Sequence, residues 1–194
     1  MILHLKLPTD PRWANIAEQN LGDILADHAY CEQKAASSCI SLIVQYPEKE
    51  KLVAVVSPIV AEEWEHFESV LAQMKKRGFS LGSMRKDEYV NQLAKHIRKG
   101  VGREHQLTDK LLMAALIEAR SCERFKTLWK NLKDPELQQF YYDLMVSEAA
   151  HYTTFITLAR EFQDREIVDM RWQEFLKIEK EIIENLAPRA DRIH

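Results

Sequence analysis

The sequence predicts an all-α protein, and three observations carry that reading. Only 5 Gly and 6 Pro occur in 194 residues, too few for the turns of a loop-rich β fold. Apolar residues recur at intervals of three and four over long stretches, and no stretch alternates as a strand does. Pro11, Pro47, Pro135 and Pro188 fall where those stretches begin or end. A chain with 46% hydrophobic residues and 27 Lys+Arg against 30 Asp+Glu is not disordered. Its length suits a single domain, residues 1–194, with a substantial core.

Asp10-Pro11 reads as an N-cap followed by proline at the first helical position, opening a short helix from about Arg12 to Glu18. From Leu21 to Gln45 the apolar positions Leu21, Leu25, Ala29, Ala36, Cys39 and Ile43 keep helical spacing, and Pro47 stops that helix. A second long helix runs from Glu48 to Arg77 with Gly78 as its stop, and Ser57-Pro58 is expected to kink or divide it. The stretch Phe79 to Leu107 is untidy, with one candidate helix from Asp87 to Lys99 between Gly82 and Gly100. A third long helix is expected from Thr108, as N-cap, to Leu132. Asp134-Pro135 repeats the cap-and-proline signal and starts a fourth, to about Phe162. A fifth spans about Glu166 to Leu186 and ends at Pro188. Two helix pairs with tight turns, a long crossover between the second and third long helices, and an additional C-terminal helix give the connectivity of a ferritin-like four-helix bundle.

Two copies of Glu-x-x-His stand out, Glu63 with His66 and Glu148 with His151. Three residues apart on a helix, each pair offers a carboxylate and an imidazole to one point. One copy alone is weak, because a chain with 7 His and many Glu throws up such pairs by chance. Their registers say more. In a helix hairpin, residues equidistant from the turn lie level, since each residue rises about 1.5 Å. Glu32 and Glu63 are centred on the turn at Pro47-Glu48, and Glu118 and Glu148 are centred beside Asp134-Pro135. Each hairpin thus sets a lone Glu level with a Glu-x-x-His.

Both lone glutamates also lie on apolar faces. Glu32 is in line with Leu25, Ala29, Ala36 and Cys39, and Glu118 with Leu111, Ala115, Cys122, Phe125 and Trp129. Buried carboxylates need a compensating cation. Four Glu and two neutral His balance two divalent ions, the donor set of a carboxylate-bridged two-metal centre. Oxygen-rich ligands with one imidazole per ion suit iron or manganese. The expected ligands are therefore Glu32, Glu63, His66, Glu118, Glu148 and His151. His28, one turn before Glu32, and Asp143 are candidate supporting residues that would orient ligands.

The net charge of -3 makes no case for wholesale attraction to nucleic acid or membrane. It hides a basic stretch, however. Lys75, Lys76, Arg77, Arg85, Lys86, Lys95, Arg98, Lys99 and Arg103 are opposed only by Asp87, Glu88 and Glu104 between Gln73 and His105. Such a cluster suits phosphate binding, or else is simply a solvated surface. Cys31, Cys39 and Cys122 form no C-x-x-C, which argues against a disulfide framework and for a reducing compartment. The N-terminus is too quickly interrupted for a secretory signal, and no apolar run approaches the roughly 18 residues that span a bilayer. A cytoplasmic protein without a membrane partner is expected.

With these residues laid out, the chain resembles the tRNA hydroxylases acting on 2-methylthio-isopentenyl-adenosine, the MiaE family. The resemblance rests on D-H-A-Y-C-E-Q-K-A-A around Glu32, E-E-W-E-H-F around Glu63 and His66, and A-R-S-C-E-R-F after Glu118. It rests also on S-E-A-A-H-Y around Glu148 and His151, and on K-K-R-G-F-S-L-G from Lys75 to Gly82. It implies a non-haem di-iron monooxygenase that uses O2 and an external electron donor or reductase. The expected reaction places one oxygen atom on an allylic carbon of the isopentenyl group of a tRNA adenosine beside the anticodon. By the resemblance, Glu63 and Glu148 bridge the irons, Glu32 and Glu118 are terminal ligands, and His66 and His151 bind one iron each. The basic stretch then becomes a candidate tRNA contact.

Two other readings compete. Another ferritin-like di-metal oxidoreductase, a peroxidase, catalase or ferroxidase, would use the same ligands on small substrates and needs no basic crossover. A metal-free helical interaction module would treat the polar residues as structural. Oligomeric state does not follow from the sequence.

Overall fold

The computed structural model describes residues 3–186 and 193; Met1, Ile2 and Pro188, which entered the sequence reading, lie outside the described residues. Among those described are seven helices and no strand. They fall into two compact units, one of residues 16–86 with Ile193 and one of residues 3–15 with 87–186. The short α1, Arg12–Gln19, opens at Asp10, whose side chain accepts the Arg12 N–H at 2.9 Å.

The first unit is a long hairpin, α2 (Leu21–Gln45) against α3 (Glu50–Lys76). Its turn is closed by the Lys49 N–H donating to the Tyr46 carbonyl at 3.1 Å. Pro47 takes the second turn position, where its fixed φ costs nothing. On α2, Ile24, Leu25, Ala29, Ala36, Cys39 and Leu42 are buried, and on α3, Leu52, Val56, Ile59, Val70 and Met74. Spacings of three and four make each set one stripe. Polar side chains interrupt both stripes, with His28 and Glu32 buried on α2 and Glu63 on α3.

The expectation that Pro58 divides the second long helix is not met, since α3 is continuous through it. Pro58 lacks the N–H that the Ala54 carbonyl would accept, but both residues are exposed and water can take its place. Beside it, the Ser57 hydroxyl donates to the Val53 carbonyl at 2.7 Å. The helix ends in a Schellman pattern: Gly78, at φ 72, gives its N–H to Lys75, and Phe79 gives its N–H to Met74.

The second unit pairs α5 (Arg103–Asn131) with α6 (Pro135–Phe162), adding α4 (Glu88–Ala94) and α7 (Arg165–Asn185). Asp87, Asp134 and Asp164 cap α4, α6 and α7 through their side chains. Leu107, Leu111, Ala115, Phe125, Leu137, Tyr141, Phe155, Trp172 and Phe175 are among its buried apolar residues. Two boundaries differ from the sequence reading. The third long helix starts at Arg103, with Gly102 rather than Thr108 as N-cap. Thr108 lies inside it, its hydroxyl donating back to the Glu104 carbonyl at 2.9 Å. The helix expected from Asp87 to Lys99 closes at Ala94, because the Arg98 N–H goes to Asp109, at 2.8 Å, instead of up a helix.

Asp109 is fully buried and also takes the Arg98 and Arg171 guanidinium groups, at 2.7 and 2.9 Å. Burial alone raises a carboxyl, but the hydrogen bonds from Arg98 and Arg171 outweigh it and hold this one below 3.8. With the folded value below the unfolded one, the stabilisation is complete above about pH 4 and fades as pH falls through the folded value. Asp109→Asn is expected to lose about 2 kcal/mol in denaturant unfolding at pH 7. The gap from the parent should close in strong acid.

Candidate metal centre

In the first unit, Glu32, Glu63 and His66 each present a ligand atom, all within 4.8 Å of one another. The His66 Nδ1 stands 3.7 Å from a Glu32 oxygen and 3.7 Å from a Glu63 oxygen. The hairpin register brings the three level, with Glu32 on α2 and the other two one turn apart on α3. Glu63 is fully buried and Glu32 almost so.

The second unit repeats the arrangement. Glu118 on α5 and Glu148 and His151 on α6 present ligand atoms within the same 4.8 Å, and all three are buried. The His151 Nδ1 lies 3.2 Å from a Glu148 oxygen. In both Glu-x-x-His pairs, then, Nδ1 is the nitrogen turned to the carboxylate.

Each triad fits one divalent ion. Two carboxylates carry -2 against one neutral imidazole, and buried negative charge of that density is costly without a cation. Ligand atoms roughly 2.0–2.2 Å from one ion stand about 3–4 Å apart, and the histidine-to-carboxylate separations of 3.7 Å at His66 and 3.2 Å at His151 fall in that range.

His28, fully buried, places its Nε2 2.6 Å from a Glu32 oxygen. A hydrogen bond of that length fixes the carboxylate and leaves its other oxygen toward His66. His28→Ala is expected to weaken metal binding at the α2–α3 triad about 10- to 100-fold, read by metal titration. His28→Gln, which keeps a donor, should recover part of the loss.

Asp143 needs correction as a supporting residue. It is exposed, and its carboxylate accepts from Gln139 on its own helix at 2.8 Å. Five residues before Glu148, it lies about 140° around α6 from that side chain. The basic residues divide as well. Lys75, Lys76, Lys86, Lys95, Lys99 and Arg103 are exposed. Arg98 is committed to Asp109, Arg77 to Gln73, and Arg85 to Asp23. No helix among the described residues is long and apolar enough to cross a membrane.

Sequence reasoning missed the polar network that holds α5. Arg120, fully buried, donates to Glu179 on α7 at 2.5 and 2.8 Å, to Glu123 at 3.1 Å and to the Leu7 carbonyl at 3.0 Å. Glu123 in turn accepts the Thr9 N–H at 2.8 Å. Arg124 lies 4.3 Å over the Trp13 ring, where burial and then the nearby Arg120 charge lower its pKa to about 10. Cys122, its thiol pushed up to about 12 by burial and then by Glu148, donates to the Met145 carbonyl at 3.4 Å. The segment after Glu118 thus ties α7 and the N-terminal stretch to the helix that carries a candidate ligand. Glu179 follows Phe175 and Leu176 on an apolar stripe, the same signal that picked out Glu32 and Glu118.

An all-helical chain with a lone buried Glu and a Glu-x-x-His on each of two long hairpins falls in the ferritin-like class of metal–carboxylate proteins. The family model described as tRNA-(MS[2]IO[6]A)-hydroxylase (MiaE) matches residues 1–194, and the chain belongs to that family. A relative from Pseudomonas putida, named tRNA 2-(methylsulfanyl)-N(6)-isopentenyladenosine(37) hydroxylase, is 39% identical over 82% of this chain and 77% of its own length. A protein of the same name from Salmonella typhimurium is 30% identical over 98% of this chain and 87% of its own. A solved structure from Synechococcus, protein 43 with aldehyde deformylating oxygenase activity, superposes with a TM-score of 0.92. It is 36% identical, over 98% of this chain and 94% of that one.

Proposed function

We propose that this chain is a non-haem di-iron monooxygenase that hydroxylates the isopentenyl group of 2-methylthio-isopentenyl-adenosine beside the anticodon of a cytoplasmic tRNA. The observation that carries the reading is the pair of matching triads, one per hairpin and each with its carboxylates buried, in a member of this family. Glu32, Glu63 and His66 would hold one iron, and Glu118, Glu148 and His151 the other. Glu63 and Glu148 would each give a carboxylate to the iron held by their own triad. Iron, when bound, supplies the activation of O2. One oxygen atom enters the allylic C–H bond, and the other leaves as water with two electrons from an external donor and two protons.

The chain's own residues set the conditions for that chemistry. Burial of Glu32, Glu63, Glu118, Glu148 and His151 keeps bulk water from the reacting centre, and His28 holds Glu32 in place. Exposed Lys75, Lys76, Lys86, Lys95, Lys99 and Arg103 meet tRNA phosphates. A base in an anticodon loop is single-stranded and can be splayed out toward a buried centre.

The test is nucleoside mass analysis of isopentenylated tRNA after incubation with iron-loaded protein and a reductant. A gain of one oxygen on the modified adenosine is expected. No gain, from protein holding two irons and turning over peroxide, would contradict the proposal and favour a small-substrate oxidoreductase. The likeness to the Synechococcus protein supports one such second reading, an aldehyde as substrate. Loss of the formyl carbon from an added aldehyde, with tRNA untouched, would favour it.

A further inference from the structure

After α3 ends, residues 78–85 turn back along the first turns of α2. The Tyr30 hydroxyl donates to the Gly82 carbonyl at 2.8 Å, and Arg85 grips Asp23. The Phe79 ring lies on Gly22, where a Cβ would stand only 3.0 Å from it. One face of the ring is thus fixed on α2, while 39% of the residue stays exposed. Between segment and helix is a groove of about 980 Å3, walled by Tyr30, Phe79, Leu81, Met84 and the α2 backbone at Leu21–Asp23. That volume lies at the upper end of the range, about 300–1,000 Å3, that holds a small ligand.

Its charge is the second observation. Lys75 and Lys76 are exposed on the last turn of α3, and Lys86 is exposed at the other end of the segment. Of the acids that line the groove, Asp23 is bound by Arg85, and buried Asp27 accepts the Ile193 N–H at 2.9 Å. Glu18 is the remaining carboxylate among the described lining residues. No side chain caps the first turn of α2, whose residues Leu21, Gly22 and Asp23 form part of the wall. An exposed aromatic ring with lysines three and four residues away in the chain has the elements of a single-stranded nucleic-acid site.

We infer that this groove receives a nucleotide of the single-stranded anticodon loop, its base stacked on Phe79 and the adjoining phosphates held by Lys75 and Lys76. The inference rests on the tRNA reading above and adds to it a particular site. Asp27 and Tyr30 line the groove five and two residues before Glu32 on α2. They lie about 140° and 160° around α2 from that carboxylate, so the groove is on a different face of the helix from the Glu32 triad.

The experiment is titration of the iron-loaded protein with a fluorescently labelled anticodon stem-loop, read by anisotropy over a range of salt concentrations. Phe79→Ala is expected to weaken binding about 5- to 100-fold, the factor that one lost base–aromatic stack brings. Phe79→Trp should bind at least as well as the parent. Lys75→Ala with Lys76→Ala should flatten the slope of log affinity against log salt by about 1.4. Thermal melting of each variant establishes that the fold is retained. Parent-like RNA binding by Phe79→Ala and by the double lysine variant, from a parent that does hydroxylate tRNA, would overturn the groove and leave the function standing. A parent that neither binds the stem-loop nor adds oxygen to tRNA would overturn both.

Discussion

Glu118→Ala is expected to cut tRNA hydroxylation by more than the roughly 100-fold that losing a supporting residue costs, and to lower the iron content. Glu118 is buried beside Glu148 and His151 on the paired helices α5 and α6, so its loss removes one of three protein ligands from that triad. The fold should survive without metal, because Glu118 and Glu148 set two carboxylates within 4.8 Å of each other and removing one relieves that repulsion. Two measurements check this, oxygen transfer to tRNA and thermal melting without metal. A lost activity with an unchanged or raised melting temperature identifies a ligand. Loss of both together would identify a structural residue.

The largest stability loss is expected at Arg120. Arg120→Met leaves Glu179 buried without its guanidinium partner and removes the link to the Leu7 carbonyl. Burial already raises the Glu179 carboxyl above its usual range even with Arg120 in place, so the lone carboxylate must take up a proton or be hydrated. Breaking a buried pair from one side costs about 3–5 kcal/mol, to be read as a fall in denaturant midpoint. The double variant Arg120→Met/Glu179→Leu should regain much of it, since an apolar pair of similar volume avoids the desolvation cost.

The sequence made the hairpins legible because helix rise is constant, so a turn position and a residue number suffice to place Glu32 level with Glu63 and Glu118 level with Glu148. The helix ends marked by Asp-Pro or Pro were legible for a local reason, that the cap and the missing N–H act within one turn. What stayed hidden depends on distant partners. Nothing near Arg98 shows that its N–H and guanidinium are taken by Asp109, which stops α4 early and removes Arg98 from the basic surface. Arg120 and Glu179 are 59 residues apart, and a charge in an apolar stripe declares burial without naming its partner. Asp143 can accept an imidazole N–H only from the inward face of α6, and it lies on the exposed face, bonded to Gln139.

The most direct test of the paired triads is the Mössbauer spectrum of protein loaded with isotopically enriched iron, with iron counted per chain. The proposed di-iron centre predicts two irons per chain that form one spin-coupled pair when oxidised. One iron per chain, or two that are magnetically independent, would contradict it.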